Sequence, residues 1–585
     1  MRGSSSSSND TNSIDSKSEK KKEAEETIMV NDGEEGEEFH FPYPSEGLQQ
    51  QPLESMVATE ESIENTSIDY DAAYVLFSSA IVGIMSGFAV ALFKLSIELL
   101  REELYGTSLS EQVPLFLITA LGGLGVAALA ATGSFSPGLR GTANEIDSLS
   151  LNTQEDERFA DASRFVRKPL AAIATLGSGC SLGPEGPSVE VGMSISRICM
   201  PPTPRSRGET DAEIATRIRR NRLLLSAGAA AGVAAGFNAP LAGVFFALEI
   251  VQQFQPPLAT FPTEPIATPS LEEDNIASIE DNDEGDYKKK YFQPMQQDFL
   301  SGPGSITAIL LASVLSALVA QVYLGDSLTL VLPSYQLKTP LVELPLYLLL
   351  GVVSGVAAGS FTALAQFFKG VFDGEAGPVY VQETMRILPK WTKPVIGGVT
   401  CGVVGMFYPQ ILFFGYETLN TLLAKSYVPT DLVLTLLAVK TFTTAVSAGS
   451  GLVGGTFAPS LFLGGMVGAS FHNIIAEMFL LAKDSTFQLA DVQAYAIVGA
   501  AGVLAALFKA PLTASLLLFE LTRDYEVILP VVASAGVGSV IGDLVEKTLE
   551  EKRRDRDAVS WGDLSDDDEV LKLQQQKKTK SKSMS

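Results

Sequence analysis

Two loops rich in glycine, proline and serine are the residues of this chain best suited to chemistry. Their shared pattern occurs at Gly177-Ser178-Gly179, Gly183, Pro187-Ser188 and Gly192, and again at Gly449-Ser450-Gly451, Gly455, Pro459-Ser460 and Gly464. In each copy the proline predicts a helix start, because its fixed φ suits the first helical turn. Backbone N–H groups at such a start converge on one spot, where the helix dipole adds about half a positive charge. The loops therefore predict an anion site built without a basic side chain.

A second shared pattern shows that the loops belong to an internal duplication. Phe-x-Ala-Pro-Leu begins at Phe237 and at Phe508, and each copy is followed by a glutamate, Glu249 or Glu520. The offset between copies is 508 − 237 = 271 here and 449 − 177 = 272 in the loops. Apolar segments broken by glycine and proline at matching positions of two halves indicate the ion site of a repeat-built membrane transporter.

The elements that must position these loops are apolar helices. Only 19% of the 585 residues are charged, and several apolar runs approach or exceed the roughly 20 residues that cross a bilayer. These runs are 73–100, 115–131, 223–250, 306–324, 344–368 and 432–446. We therefore expect an all-α polytopic membrane protein. Its Gly/Pro-broken helices should be re-entrant, which requires that they line a cavity or lie within protein.

Charge and composition divide the chain into five parts. Residues 1–70 are predicted to be a disordered acidic tail and 252–304 an acidic linker, and together they carry most of the net charge of −26. The predicted membrane repeats are 71–251 and 305–545, followed by a polar tail over 546–585. Acidic tails disfavour nucleic-acid binding. The three scattered cysteines predict core thiols rather than a disulfide framework.

Four motifs in order resemble those of the CLC chloride channels and chloride/proton exchangers. They are Leu182-Gly183-Pro184-Glu185-Gly186-Pro187, Gly454-Gly455-Thr456-Phe457-Ala458-Pro459, Gly133-Ser134-Phe135-Ser136-Pro137, and Asp524-Tyr525 before Ile528-Leu529-Pro530. The resemblance covers roughly residues 72–545. It implies a CLC fold of two inverted structural repeats, and a homodimer with one pore in each subunit.

The resemblance also implies roles for single residues. Glu185 would be the gating glutamate, whose carboxylate competes with chloride for the outer anion position. The expected anion-binding residues are Ser134 and Tyr525 through their hydroxyls, Thr456 and Phe457 through their amides, and the glycines Gly133 and Gly186. The alternatives are a helix-capping acid for Glu185, a turn serine for Ser134 and an interfacial aromatic for Tyr525.

Departures from the family pattern bear on the mechanism. Pro184 stands where the family carries a basic residue, so the outer site should lose one N–H donor and one positive charge. Phe135 replaces a glycine, which would narrow the inner entrance or turn its ring aside. Ile250 stands where many exchangers carry a proton-relaying glutamate, and an aliphatic side chain cannot pass a proton. Glu249 and Glu520 are read as structural residues that cap or bridge helices. The sequence thus favours a chloride channel over a chloride/proton exchanger.

Two other classes fit the residues less well. Gly179-Cys180-Ser181-Leu182-Gly183 satisfies the G-x-S-x-G pattern of serine hydrolases, but the chain's only histidines are His40 and His472. A cation transporter would use Glu185, Glu249 and Glu520 as ligands, but the loops present amides rather than carbonyls. We therefore expect no enzyme, no cofactor and no metal.

The remaining expectations concern location and partners. The stretch from Leu182 to Glu190 resembles the plant branch assigned to Golgi-type endomembranes and chloroplasts, and the acidic N-terminal tail is unlike a transit peptide. Endomembranes, Golgi-type, are favoured over the chloroplast. Chloride and the lipid bilayer are the expected partners. No pair of CBS domains fits after Leu544, so nucleotide regulation is not expected.

Overall fold

A computed structural model describes residues 70–106, 113–133, 135, 157–200, 211–251, 303–325, 342–424, 429–481 and 489–564. All of these residues belong to one compact unit, Ile68–Ser585. The expectations for the acidic tail and for most of the acidic linker lie outside the described residues.

Helices form almost all of the described chain. The first seven are α1 (Tyr70–Tyr105), α2 (Leu115–Ala131), α3 (Glu157–Gly177), α4 (Glu185–Cys199), α5 (Asp211–Phe237), α6 (Pro240–Phe246) and α7 (Pro303–Leu324). The other nine are α8 (Leu344–Asp373), α9 (Val379–Ile387), α10 (Thr392–Phe407), α11 (Tyr416–Leu423), α12 (Thr430–Gly449), α13 (Phe457–Leu481), α14 (Val492–Phe508), α15 (Pro511–Thr522) and α16 (Ile528–Leu564). No β-strand occurs in these ranges.

Helix length and composition agree with a polytopic membrane protein. Within the described part, six stretches are long and apolar enough to cross a bilayer: Asp71–Tyr105, Gly304–Leu324, Leu344–Asp373, Thr430–Gly449, Phe457–Met478 and Ile528–Glu551. Other apolar helices are too short to span it. The shortest is α6, which continues as a single π-helical turn over Ala247–Val251.

Matching helices begin at the offset that the sequence predicts. Glu185 begins α4 and Phe457 begins α13, and 457 − 185 = 272. Pro240 begins α6 and Pro511 begins α15, and 511 − 240 = 271. The helices α2, α4 and α6 also contact their own counterparts, α10, α13 and α15. Contacts between equivalent helices are those of two repeats related by a pseudo-two-fold axis.

The packing moves one boundary between the repeats. Helix α7 packs against α1, α5 and α6, whereas its counterpart α16 packs against α8, α14 and α15. By packing, α7 is therefore the last helix of the first repeat, and the boundary expected at residue 305 is replaced by the start of α8. The acidic linker therefore falls within the first repeat, because the last apolar helix of that repeat follows it in the sequence. Helix α16 also runs to Leu564, past the boundary expected at 546.

Glycines allow the helices behind the two loops to cross closely. A Cβ on Gly228 of α5 would lie 2.4 Å from the carbonyl oxygen of Gly192 in α4. The equivalent pair has the same relation, because a Cβ on Gly499 of α14 would lie 2.5 Å from the carbonyl oxygen of Gly464 in α13. Small residues that permit close backbone approach are typical of helix packing in membranes.

Candidate anion site

The two glycine-rich loops pair directly with each other. Gly183 N donates to Gly455 O at 2.8 Å, and Gly455 N donates to Gly183 O at 2.6 Å, which forms an isolated antiparallel bridge. The backbones approach so closely that a Cβ on Gly455 would lie 2.6 Å from Gly186 N. This bridge holds the start of α4 beside the start of α13. The two positive helix ends thus meet at one place.

Glu185 places its carboxylate at this junction. The residue begins α4 and is only 2% exposed. Oε1 accepts a hydrogen bond of 2.6 Å from the hydroxyl of Tyr416, whereas Oε2 is buried with no hydrogen-bond partner. The amides of Glu185 and of Ala458, in the first turn of α13, interact electrostatically with the carboxylate. A carboxylate in this position occupies the place to which the converging helix ends would attract an anion.

Tyr416 reaches Glu185 from outside both loops, and no motif in the sequence points to it. It begins α11, 231 residues away from Glu185. Gly415, directly before it, has a φ of 95°, a conformation that favours glycine. The residue's signal in the sequence is weak, because only the folded chain brings α11 to the start of α4.

A buried lysine fixes the segment that leads to Tyr416. Lys440 of α12 is fully buried and donates to the carbonyl oxygens of Ile411 at 2.8 Å and Phe413 at 2.9 Å. Phe413 N donates to Gly179 O at 3.2 Å. The segment is therefore tied both to the second repeat and to the first glycine-rich loop. Such buried bonds hold the Tyr416 hydroxyl in place.

A cavity of about 370 Å³ opens beside Glu185. Glu185, Tyr416, Pro184 and Lys94 are among its lining residues. Lys94 comes from α1, and its Nζ donates to the carbonyl oxygen of Gly236. The cavity gives Glu185 a space that an anion could enter.

Aromatic rings pack around Phe457, the first residue of α13. The Phe457 ring stacks on Phe508 with centroids 3.8 Å apart, and it contacts Phe237 at 6.0 Å and Phe246 at 5.8 Å. Thr456 precedes α13, which begins at Phe457. The first turn of α13 therefore has a backbone held by packed rings, as a preformed set of amide donors requires.

Glu249 and Glu520 cap each other's helices. Glu249 accepts hydrogen bonds from Leu512 N at 3.0 Å and Thr513 N at 2.6 Å, at the start of α15. Glu520 accepts from Leu241 N at 2.9 Å and Ala242 N at 2.7 Å, at the start of α6. These bonds confirm the predicted capping role.

Ile250 lies beside Glu249 in the π-helical turn that ends α6. It is 4% exposed and belongs to the cluster of buried apolar residues that also contains Phe246 and Phe457. The position expected to interrupt proton transfer is thus apolar in the fold as well as in the sequence.

The other predicted anion-binding residues have mixed outcomes. Gly186 lies at the paired loops. Gly133 has a φ of 153° and lies beside the Arg167 guanidinium. Ser134 lies outside the described residues. Phe135 is partly buried and packs with the apolar cluster beneath the first loop.

Tyr525 requires a correction. Its side chain is 77% exposed, and its ring packs on Phe519 with centroids 4.8 Å apart. Arg523 ends α15 in a left-handed turn with a φ of 55°, so the chain leaves the helix before Tyr525. The structure therefore does not bring this hydroxyl to the paired loops. An exposed aromatic at a helix end matches the interfacial alternative.

The hydrolase pattern does not form a catalytic group in the described part of the chain. The Ser181 hydroxyl is buried and hydrogen-bonds that of Thr444 at 2.9 Å. His472 instead contacts Asn473 and the Tyr495 ring. No cluster of three or more potential metal ligands occurs among the described residues.

Comparisons with known proteins agree with this geometry. The chain is 32% identical over 492 residues to chloride channel protein CLC-e of Arabidopsis thaliana, covering 79% of this chain and 59% of that protein. It is 36% identical over 380 residues to chloride channel protein CLC-f of the same plant, covering 64% of this chain and 40% of that protein. The chain therefore spans less than two thirds of the length of each of these two relatives.

A solved structure shares the fold. It is described as a slow cyanobacterial Cl⁻/H⁺ antiporter, is 22% identical, and covers 82% of this chain and 98% of its own with a TM-score of 0.58. The CLC fold expected from the sequence, with two inverted repeats and broken helices, is confirmed. The family model described as voltage gated chloride channel matches residues 124–263 and 301–543. The chain belongs to this family, the CLC family of anion channels and transporters.

Proposed function

We propose that this protein is a chloride-selective channel of the voltage-gated type, with Glu185 as its gate. The supporting observation is the Gly183–Gly455 bridge, which holds a buried carboxylate at the meeting point of α4 and α13. A carboxylate there is the protein's own anion at the site. Chloride enters when the carboxylate is protonated or swings away.

The mechanism follows from charge and geometry. In the closed state Glu185 is ionised, accepts the hydrogen bond from Tyr416 and is favoured by the helix ends. Protonation removes the negative charge and so removes the repulsion against an entering chloride. The amides of Thr456 and Phe457 then serve as donors for the ion, together with the Ser134 hydroxyl. Partial charges hold a monovalent anion weakly enough to release it.

A chloride/proton exchanger is the alternative, and the solved cyanobacterial relative carries that description. Two observations favour the channel. Ile250 lies in an apolar cluster, and the neighbouring Glu249 carboxylate is occupied by the amides of α15. Neither residue is arranged to pass a proton towards the far side of the protein.

The cellular setting is also part of the proposal. We place the protein in an intracellular membrane, with Golgi-type endomembranes favoured over the chloroplast, as a homodimer with a separate pore in each subunit. The six apolar helices of the described chain that are long enough to cross a bilayer and the sequence similarity to the two plant chloride channel proteins support the membrane placement. Co-localisation of a fluorescent fusion with Golgi and plastid markers tests the location. Cross-linking of the purified protein tests the dimer.

Flux from proteoliposomes tests the function. Vesicles loaded with chloride and made permeable to potassium should release chloride passively. Protons should not move against their concentration gradient. Uphill proton movement in fixed proportion to chloride would establish the exchanger instead. Absence of chloride release from vesicles that contain folded protein would reject both transport mechanisms.

A further inference from the structure

One charged residue in the cavity beside Glu185 has no role in the gate described so far. Lys94 lies on α1, in a helix stretch that is otherwise strongly apolar from Ala89 to Leu95. A charged side chain inside an apolar membrane helix is costly and marks a functional position. Lys94 lines the same cavity as Glu185 and Pro184, and it attracts Glu185 electrostatically.

The other charged residues that line this cavity are Glu98, Arg101 and Glu417. The Arg101 guanidinium lies 2.7 Å from Glu417 and 3.7 Å from Glu98, in each case to a carboxylate oxygen. Lys94 is attracted by Glu98 as well as by Glu185, and among the described residues no ion pair joins it to Glu185 directly. The Lys94 ammonium instead donates to the carbonyl oxygen of Gly236, which keeps it at the cavity wall.

The balance of charge changes when the gate opens. While Glu185 is ionised, the three carboxylates of the lining outnumber its two cations, Lys94 and Arg101. Once Glu185 is protonated, the lining is neutral overall, and the attraction that Lys94 exerted on the carboxylate has no anion to act on. An anion that enters the space of about 370 Å³ in place of the carboxylate gains that attraction.

We infer that Lys94 is an anion-binding residue of the outer chloride position, where it supplies from α1 the positive charge that Pro184 removes from the loop. This inference rests on the proposed function and identifies a residue of the same site. It changes the expectation from the sequence alone, by which the loss of the basic residue at 184 leaves the outer site weaker. The positive charge comes from α1 instead of from the loop, and Lys94 and Pro184 line the same cavity.

The test measures equilibrium chloride binding to the purified full chain in detergent by isothermal titration calorimetry. All variants carry Glu185→Gln, so that the gate is neutral and transport direction is irrelevant. Lys94→Met should raise the Kd for chloride about tenfold, which corresponds to about 1.4 kcal/mol. Lys94→Arg should retain most of the affinity. Lys547→Met, which removes an exposed lysine of α16 paired with Asp543, serves as the matched control and should leave the Kd unchanged.

A second variant separates the charge from the hydrogen bond to Gly236. Adding Pro184→Lys to Lys94→Met restores a cation at the cavity but not the bond, so recovery of chloride affinity supports the inference. An unchanged Kd in Lys94→Met, or a raised Kd that Pro184→Lys does not lower, overturns it. If Glu185→Gln alone binds no chloride, the proposed function fails instead. A misfolded Lys94→Met chain whose folding Pro184→Lys does not restore shows a structural role and also overturns the inference.

Discussion

The Tyr416 hydroxyl donates a 2.6 Å hydrogen bond to Oε1 of Glu185, from a helix 231 residues further along the chain. The bond holds one carboxylate oxygen, while the other is buried without a partner. The carboxylate is thus held by Tyr416 together with the backbone amides of Glu185 and Ala458, which also act on it. Its position depends on a residue that belongs to neither of the duplicated loops.

Loss of this hydrogen bond should favour the open gate. Tyr416→Phe keeps the ring and removes the donor. A hydrogen bond to a charged group contributes about 1.5–3 kcal/mol, so we expect chloride flux at neutral pH to rise about tenfold or more. Stopped-flow chloride efflux from proteoliposomes measures the change. Tyr408→Phe removes a hydroxyl from the preceding segment and serves as control. An equal rise in chloride flux in both variants would contradict a specific role for the hydrogen bond between Tyr416 and Glu185.

The bridge between the loops should not tolerate a side chain. In Gly455→Ala the new Cβ would lie 2.6 Å from Gly186 N, so the loops must separate. Overpacking of this kind costs about 1–3 kcal/mol, and we expect lower thermal stability together with loss of chloride flux. Gly536→Ala is the matched control, because no atom lies within 4 Å of its added Cβ. Full activity of Gly455→Ala would show that the bridge does not position the gate.

The reciprocal caps should both contribute to stability, and Glu249 should contribute more because it also accepts a 2.6 Å hydrogen bond from the Thr513 hydroxyl. Glu249→Ala and Glu520→Ala each leave two helix-start amides without their carboxylate. Loss of an N-terminal cap costs about 0.5–2 kcal/mol, and Gln at either position should recover part of it. Thermal unfolding in detergent measures both series. A large effect on chloride flux with unchanged stability would instead indicate that a glutamate takes part in conduction.

Sequence patterns predicted the repeat-related parts of the site and missed the parts that depend on tertiary structure. The 272-residue offset identified the starts of α4 and α13, because the glycines and prolines that begin a helix are local signals. Tyr416 and Lys94 come from helices outside the duplicated loops, and only folding brings them to Glu185. Lys94 nevertheless had a readable signal as a lysine within an apolar run.

The anion-binding role predicted for Tyr525 disagrees with the structure for a related reason. Its motif gave its place in the chain, but the left-handed turn at Arg523 determines where its side chain lies. The boundary at residue 305 was also wrong, since α7 is apolar on its own and only its packing against α1 and α5 assigns it to the first repeat. Composition locates an apolar helix in the sequence but does not show which helices it packs against.

The pH dependence of chloride efflux in Glu185→Gln tests the gate most directly. In the wild-type protein, efflux should rise as the pH falls, because protonation releases the carboxylate from the anion position. Glutamine is neutral at every pH, so the variant should conduct at neutral pH at least as fast as the wild type does in acid, with no further response to pH. A variant that retains the wild-type pH dependence would contradict the assignment of Glu185 as the gate.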